Sequence, residues 1–153
     1  MDKSRRGRRA DIQPPIRIRR AAPRDHRDIV TLMHALDLSY PAMRLSCFWV
    51  AEDASGIVAA AELKDFRDCS LLSCVGVRQD MQGLGIGRTL VEEVARHAQH
   101  DIYLYTLVPD FFRKAGFAGA KMLPRGLPPR SVYGCENCDP RLCFCLVRRR
   151  HDS

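Results

Sequence analysis

The sequence predicts an α/β (α+β) domain, a mixed sheet of about six to seven strands flanked by helices. Three observations carry this reading. Short apolar or alternating runs recur at 16–19, 47–51, 57–63, 70–77, 102–107 and 142–147, and such lengths suit strands. Between them, Ile29, Leu32, Met33 and Leu36, and then Leu90, Val91, Val94, Ala95 and Ala98, fall at helical spacing, each set forming one buried stripe. No internal repeat and no inner linker divides the body, so 153 residues make one domain.

The elements follow in order. Ile16-Arg17-Ile18-Arg19 alternates apolar and charged residues, as a short strand does. Asp25 or Asp28 opens the first helix. Residues 47–51 and 57–63 read as a second and a third strand, with Ser55-Gly56 as the hairpin turn between them. Residues 70–77 are apolar on both faces, which places the fourth strand centrally. A glycine-rich stretch leads into the second helix, whose outer side carries Glu92, Glu93, Arg96 and Gln99. Residues 102–107 form the fifth strand. Pro109 suits the first turn of a short helix carrying Phe111, Phe112 and Ala115 and closed by Gly116, and 142–147 is the last strand.

Composition excludes several classes. A hydrophobic fraction of 46% with 28% charged residues is the mix of a soluble globular protein, not a disordered chain. The longest apolar stretches fall well short of the ~20 residues that cross a bilayer, so no membrane association is expected. The net charge of +7 is unevenly placed: +6 over residues 1–20, +2 over 148–153 and −1 between them. The basicity therefore sits in the tails, and no nucleic-acid surface is expected in the folded body. Residues 1–15 offer little to bury and are expected to be a disordered basic leader, a solvated tail or else an arm for nucleic acid or a membrane surface. The domain is expected over 16–148, with a basic tail at 149–153. Seven cysteines, an odd count, with no apolar segment following Met1-Asp2-Lys3-Ser4-Arg5-Arg6, point to a reducing, cytoplasmic setting.

Gly83, Gly85 and Gly87 lie between a buried strand and an amphipathic helix. Glycine permits positive φ and close approach of a ligand to the backbone. Amides at a helix start point outward, where the dipole favours an anion, so the turn predicts a pyrophosphate site. The spacing differs from the dinucleotide fingerprint, and Gly87-Arg88-Thr89 lacks the lysine of a Walker A loop.

The longer stretch Val75-Gly76-Val77-Arg78-Gln79-Asp80-Met81-Gln82-Gly83-Leu84-Gly85-Ile86-Gly87-Arg88-Thr89-Leu90 resembles the acetyl-CoA motif of the GNAT acetyltransferase superfamily. Asp110-Phe111-Phe112-Arg113-Lys114-Ala115-Gly116-Phe117 is similar to that family's late aromatic segment. Leu127-Pro128-Pro129-Arg130 and Cys135-Glu136-Asn137-Cys138, followed by Cys143, resemble the short N-acetylglutamate synthase-like branch, with Arg130 where lysine is usual and Asp139 before Pro140. The resemblance covers about residues 16–148.

It implies a mostly antiparallel sheet splayed between the fourth and fifth strands, acetyl-CoA as cosubstrate, and transfer of the acetyl group to a primary amine such as a small amino acid like glutamate. Pantetheine would pair with Val75, Gly76 and Val77. The pyrophosphate would rest on the turn formed by Gln82, Gly83, Leu84, Gly85, Ile86, Gly87, Arg88 and Thr89, with Phe112 beside the cofactor. The acetyl carbonyl would point to the Val75 amide.

Two expected side chains are missing. Where many family members carry a glutamate base this chain has Leu71, and where they carry a tyrosine acid it has Phe112. Substitutes for the base are Glu62 and Asp65, taken as lying just after the third strand, with Ser73 as a relay sharing a face with Leu71 and Val75. Tyr105 is the substitute acid. Glu62 reads first as a solvated strand-end charge, and Tyr105 as a packed residue bonded locally. Arg130, Arg67 and Arg44 are candidate carboxylate clamps. Cys135, Cys138, Cys143 and Cys145 could be zinc ligands, but one C-x-x-C motif is insufficient, and free thiols or a local disulfide are expected instead of a metal. Cys47, Cys69 and Cys74 read as small core residues and the histidines as solvated. The partners expected are a small-molecule amine, acetyl-CoA and a second copy of the chain. Two other functions stay open: a CoA-binding pseudoenzyme that senses acyl-CoA, and a metal- or redox-responsive interaction protein using the C-terminal cysteines.

Overall fold

The structure, a computed structural model, describes residues 15–134 and 141–150. Most of the expected leader and the last three residues therefore lie outside the described residues. The alternating start forms β1 (Arg17–Arg20), which pairs antiparallel with β2 (Phe48–Asp53). The Ser55-Gly56 turn leads into β3 (Gly56–Asp65), and β4 (Ser70–Val77) is antiparallel to it. β5 (Ile102–Thr106) runs parallel to β4, while β7 (Phe144–Arg148) and the two-residue β6 (Ala118–Gly119) complete the sheet. The strand order is β1-β2-β3-β4-β5-β7-β6, which puts β4 at the centre as its two apolar faces required.

Two helices cover opposite faces. α1 (His26–Ala35) turns Ile29, Leu32 and Met33 onto Phe48, Val50 and Ala60. α2 (Ile86–Ala95) turns Leu90, Val91 and Val94 onto Ala61, Leu63 and Leu104. The short α3 (Pro109–Lys114) starts at Pro109 and ends before Gly116, whose φ of 92° reverses the chain.

The fold corrects the expected end of β3. The strand runs on to Asp65, two residues past the expected stop, because Glu62 and Lys64 are buried on one face rather than ending in solvent.

The entry to α1 is held by charge. The Asp25 carboxylate accepts Arg19 Nη1 at 2.7 Å and Nη2 at 3.0 Å, and the Ala22 amide at 2.7 Å. Arg19 also reaches Glu52 on β2, tying β1, β2 and the helix start together. The Arg19 guanidinium lowers the Asp25 carboxyl from 3.8 to about 2. A lowered carboxyl stabilises the fold above its unfolded pKa, and that stability is lost as pH falls through the folded value. Asp25→Asn should therefore flatten the decline in melting temperature between about pH 4 and pH 2. Thermal melts across that range check this; an unchanged acid limb would remove Asp25 as its source.

Candidate active site

β4 and β5 pair through only two positions, Ser70 with Ile102 and Leu71 with Tyr103. Beyond them a cavity of about 660 Å³ opens between the strands. β4 contributes Ser73, Cys74 and Val75 to it, β5 contributes Tyr105 and Thr106, and α3 contributes Phe112. The expected splay is thus a real opening, with a β4 edge that no β5 residue pairs beyond Leu71.

The β4 backbone is irregular where the cavity begins. Ala60 pairs with Gly76 and Glu62 with Ser73, so Ala61 alone faces both Cys74 and Val75. This is a β-bulge, and Cys74 carries its positive φ of 55°. The bulge corrects the expected face of Ser73. Ser73 remains opposite Glu62, whereas Val75 packs with the α2-side core.

Gly83 and Gly85 hold φ of 82° and 83°, the left-handed region the turn needs. Gln82 Nε2 donates to the Val77 carbonyl at 2.9 Å, closing the turn against the end of β4. Among the described residues, the amides of 83–88 meet no acceptor, and the first helix amide that does is that of Thr89, to Gly85 O at 3.1 Å. These are the orphan donors of a helix N-terminus. Gly87 has another reason to be glycine. A Cβ there would meet Phe111 Cζ at 3.1 Å and Val77 Cγ2 at 3.2 Å. A Cβ on Gly76 would lie 2.6 Å from Leu36 and 2.8 Å from Leu38, so that glycine admits the chain leaving α1. Ile86 is buried in the core and Arg88 pairs with Glu92 at 2.9 Å, which leaves the backbone, not these side chains, facing the turn.

Glu62 is the main correction. It is no strand-end charge: it is 0% exposed within β3. The Tyr40 hydroxyl and the Arg44 amide, the latter at 2.6 Å, donate to its carboxylate. Lys64 Nζ lies 3.7 Å away and donates to Tyr40 Oη at 2.9 Å and to the Ala42 carbonyl at 2.5 Å. Burial and Glu62 together raise the Tyr40 phenol, and burial pushes the Cys74 thiol up to about 12. Asp65 accepts the Ser70 hydroxyl at the end of β3, outside the cavity.

The Tyr105 proton is already committed. Its hydroxyl donates to the Pro128 carbonyl at 2.8 Å, and burial pushes it up to about 12. Of the three arginines, Arg130 alone lines the cavity, its guanidinium 5.4 Å from the Tyr105 ring centre. Arg67 is exposed, and Arg44 contributes its amide rather than its side chain. Leu71 is buried at 1% exposure, and Phe112 packs against Phe111 and Phe117. Cys143 lines the cavity and Cys145 packs beside Cys69 and Tyr103, while Cys135 and Cys138 lie outside the described residues. Three cavity or near-cavity groups carried no sequence signal: Tyr40, Lys64 and Tyr133. Tyr133 shares a hydrogen bond with Ser73, and its ring sits 4.6 Å from that of Tyr40.

Residues 44–118 match the family model described as an acetyltransferase (GNAT) domain. The chain carries a GNAT domain. Solved structures agree on the fold. N-acetylglutamate synthase from Neisseria gonorrhoeae, complexed with coenzyme A and N-acetyl-glutamate, aligns with a TM-score of 0.69 at 22% identity, over 91% of this chain and 36% of that one. A Mycobacterium tuberculosis protein in complex with CoA aligns at 0.65 and 22%, over 87% and 98% of the two chains. A GNAT-family acetyltransferase from Staphylococcus aureus Mu50 aligns at 0.68 and 18%, over 90% and 100%. The chain spans about a third of the length of the N-acetylglutamate synthases it resembles. A comparison with curated proteins gives no match. Among the described residues, no helix of this GNAT domain is long and apolar enough to cross a membrane.

Proposed function

We propose that the protein is an acetyl-CoA-dependent N-acetyltransferase acting on a primary amine. The observation that carries this is the cavity between β4 and β5, with an unpaired strand edge on one wall and the turn of orphan amides at residues 83–88 following the same strand. Pantetheine is read along Val75, Gly76 and Val77, the pyrophosphate on the turn held by Gln82 and Thr89, and Phe112 against the thioester end. The solved neighbours crystallised with CoA support this reading.

The acceptor is read as a small amino acid such as glutamate, because Arg130 places a cation on the cavity wall where a carboxylate would meet it. The folded body is read as a cytoplasmic enzyme of residues 16–148 that works as a homodimer. With Leu71 in place of an acidic residue, β4 supplies no carboxylate to the cavity, whose described lining holds Asp37 instead, and the attacking amine is read as losing its proton to water. Positioning then supplies most of the acceleration, several kcal/mol and up to ~7–11 in favourable cases.

Calorimetry with CoA and a turnover panel of amines test the proposal. Rate should climb with pH toward the acceptor's own pKa, near ~8 for a peptide α-amine and ~10 for a lysine-like amine. A sharp ionisation that ignores the amine supplied would point to a protein base instead. CoA binding without turnover on any amine would make the protein an acyl-CoA sensor.

A further inference from the structure

Three phenols stand on the cavity wall, and each has one proton to give. Tyr40 donates its proton to Glu62, while Lys64 Nζ holds the same phenol oxygen. Tyr105 donates its proton to the Pro128 carbonyl. Tyr133 differs: its hydroxyl meets the hydroxyl of Ser73. Two hydroxyls joined by one hydrogen bond own two protons and use one. Ser73 also acts on the Tyr40 phenol through a side-chain hydrogen bond, so the second proton of the pair can go to Tyr40 or to an acceptor in the cavity, and Tyr133 is the one phenol of the three not committed to a carboxylate or a carbonyl. Ser73 directly precedes the bulge at Cys74 and Val75, so the pair stands beside the irregular stretch of β4. The Tyr133 ring is fixed by Tyr40 at 4.6 Å and by the edge of Tyr105 at 6.1 Å.

Resting on the acetyl-transfer reading above, we propose that Tyr133, backed by Ser73, gives the proton that the CoA sulfur takes as it leaves. Phe112, where the resemblance looks for an acid, has no proton to give, and Tyr133 reaches the same cavity from the turn that precedes Gly134. A phenol suits the task better than an aliphatic hydroxyl, since its reference pKa lies within ~2 units of a thiol's. Burial raises the Tyr133 phenol and keeps it protonated, while the bond to Ser73 acts the other way and favours the phenolate. Cys74, Glu62, Tyr40 and Tyr105 are titratable groups around it, Asp37, Arg130 and Cys143 line the same cavity, and Lys64 holds the Tyr40 oxygen. The step balances. The amine nitrogen bonds to the acetyl carbon and the C–S bond breaks. Sulfur takes the Tyr133 proton, and the proton shed by nitrogen returns to the hydroxyl pair.

The test follows the thiol of bound CoA, which needs no acceptor amine. Thiolate absorbance against pH, recorded on the full chain saturated with CoA, gives the thiol pKa. Tyr133→Phe should raise it by about one pH unit and leave the affinity for desulfo-CoA unchanged. Ser73→Ala should move it the same way by less, and Tyr105→Phe not at all. Where an amine turns over, Tyr133→Phe should also cut kcat roughly 100-fold with the KM for acetyl-CoA within about threefold. A bound thiol that titrates alike in wild type and Tyr133→Phe overturns the proposal, whatever happens to turnover. A shifted thiol with no amine accepted places Tyr133 on the sulfur but overturns the acetyl-transfer reading, and the proton transfer with it. A wild-type chain that fails to bind CoA overturns both.

Discussion

Gly85→Glu should abolish CoA binding, weakening it at least 100-fold by calorimetry, while the protein still folds. Gly85 sits at φ 83° immediately before α2. A side chain there pays for the left-handed conformation, about 1–2 kcal/mol, but meets no steric obstacle, since a Cβ would have nothing within 4 Å. In a chain of this size that strain should lower the melting temperature by roughly 2–8 °C. The loss of binding has a separate cause. A carboxylate at this position competes for the orphan amides at the start of α2 and repels a phosphate in the same place. Gly85→Ala separates the two effects: it carries the strain without the charge, so it should share the drop in melting temperature and keep most of the affinity. A folded Gly85→Glu variant that binds CoA like wild type would remove the pyrophosphate from this turn.

That turn was legible in the sequence because everything it needs is local. The glycines, the apolar strand before them and the amphipathic helix after them lie within the 26 residues from Ser70 to Ala95, and each has its own pattern. The roles of single glycines were less legible. Gly76 and Gly87 sit in the same motif, yet their bare faces admit Leu36, Leu38 and Phe111 from elsewhere in the chain, contacts no local pattern reports. The cavity wall was the least legible part. The bulge at Cys74 breaks the two-residue alternation by which Ser73 is assigned a face, and nothing in Leu71-Leu72-Ser73-Cys74-Val75 announces it. Tyr40 and Tyr133 come from aperiodic connections, where neither helical nor strand spacing applies. Glu62 and Lys64 did leave a trace. With Ala60 they occupy alternate positions of β3, while Ala59, Ala61 and Leu63 occupy the others. Read as a polar face turned to solvent, that alternation looks like a strand running out. The polar face is instead covered by the segment carrying Tyr40 and Arg44.

Glu62→Ala should be the most destabilising single change at the site, costing about 3–5 kcal/mol. The carboxylate has no exposure and accepts from Tyr40 and from the Arg44 amide, with Lys64 Nζ 3.7 Å away. Removing it strands three groups at once: a buried phenol proton, the Arg44 amide and an ammonium at 9% exposure. Breaking one side of a buried ion pair costs far more than the pair contributes over a well-packed apolar replacement. Glu62→Gln keeps the shape and an acceptor for Tyr40 but leaves Lys64 uncompensated, so it should fall between wild type and Glu62→Ala. Adding Lys64→Met to Glu62→Gln removes the stranded charge and should recover much of the loss, a non-additivity expected of groups that share partners. Denaturant unfolding of the four proteins checks this. Glu62→Ala within about 1 kcal/mol of wild type would mean the cluster is not dry and its groups find water when the carboxylate goes. The consequence for function follows from Tyr40, whose phenol oxygen is fixed by Glu62 and Lys64 and whose ring packs on Tyr133. Loosening that floor should blur the position of the Tyr133–Ser73 pair, so Glu62→Gln should lower kcat while leaving CoA affinity at the glycine turn unchanged.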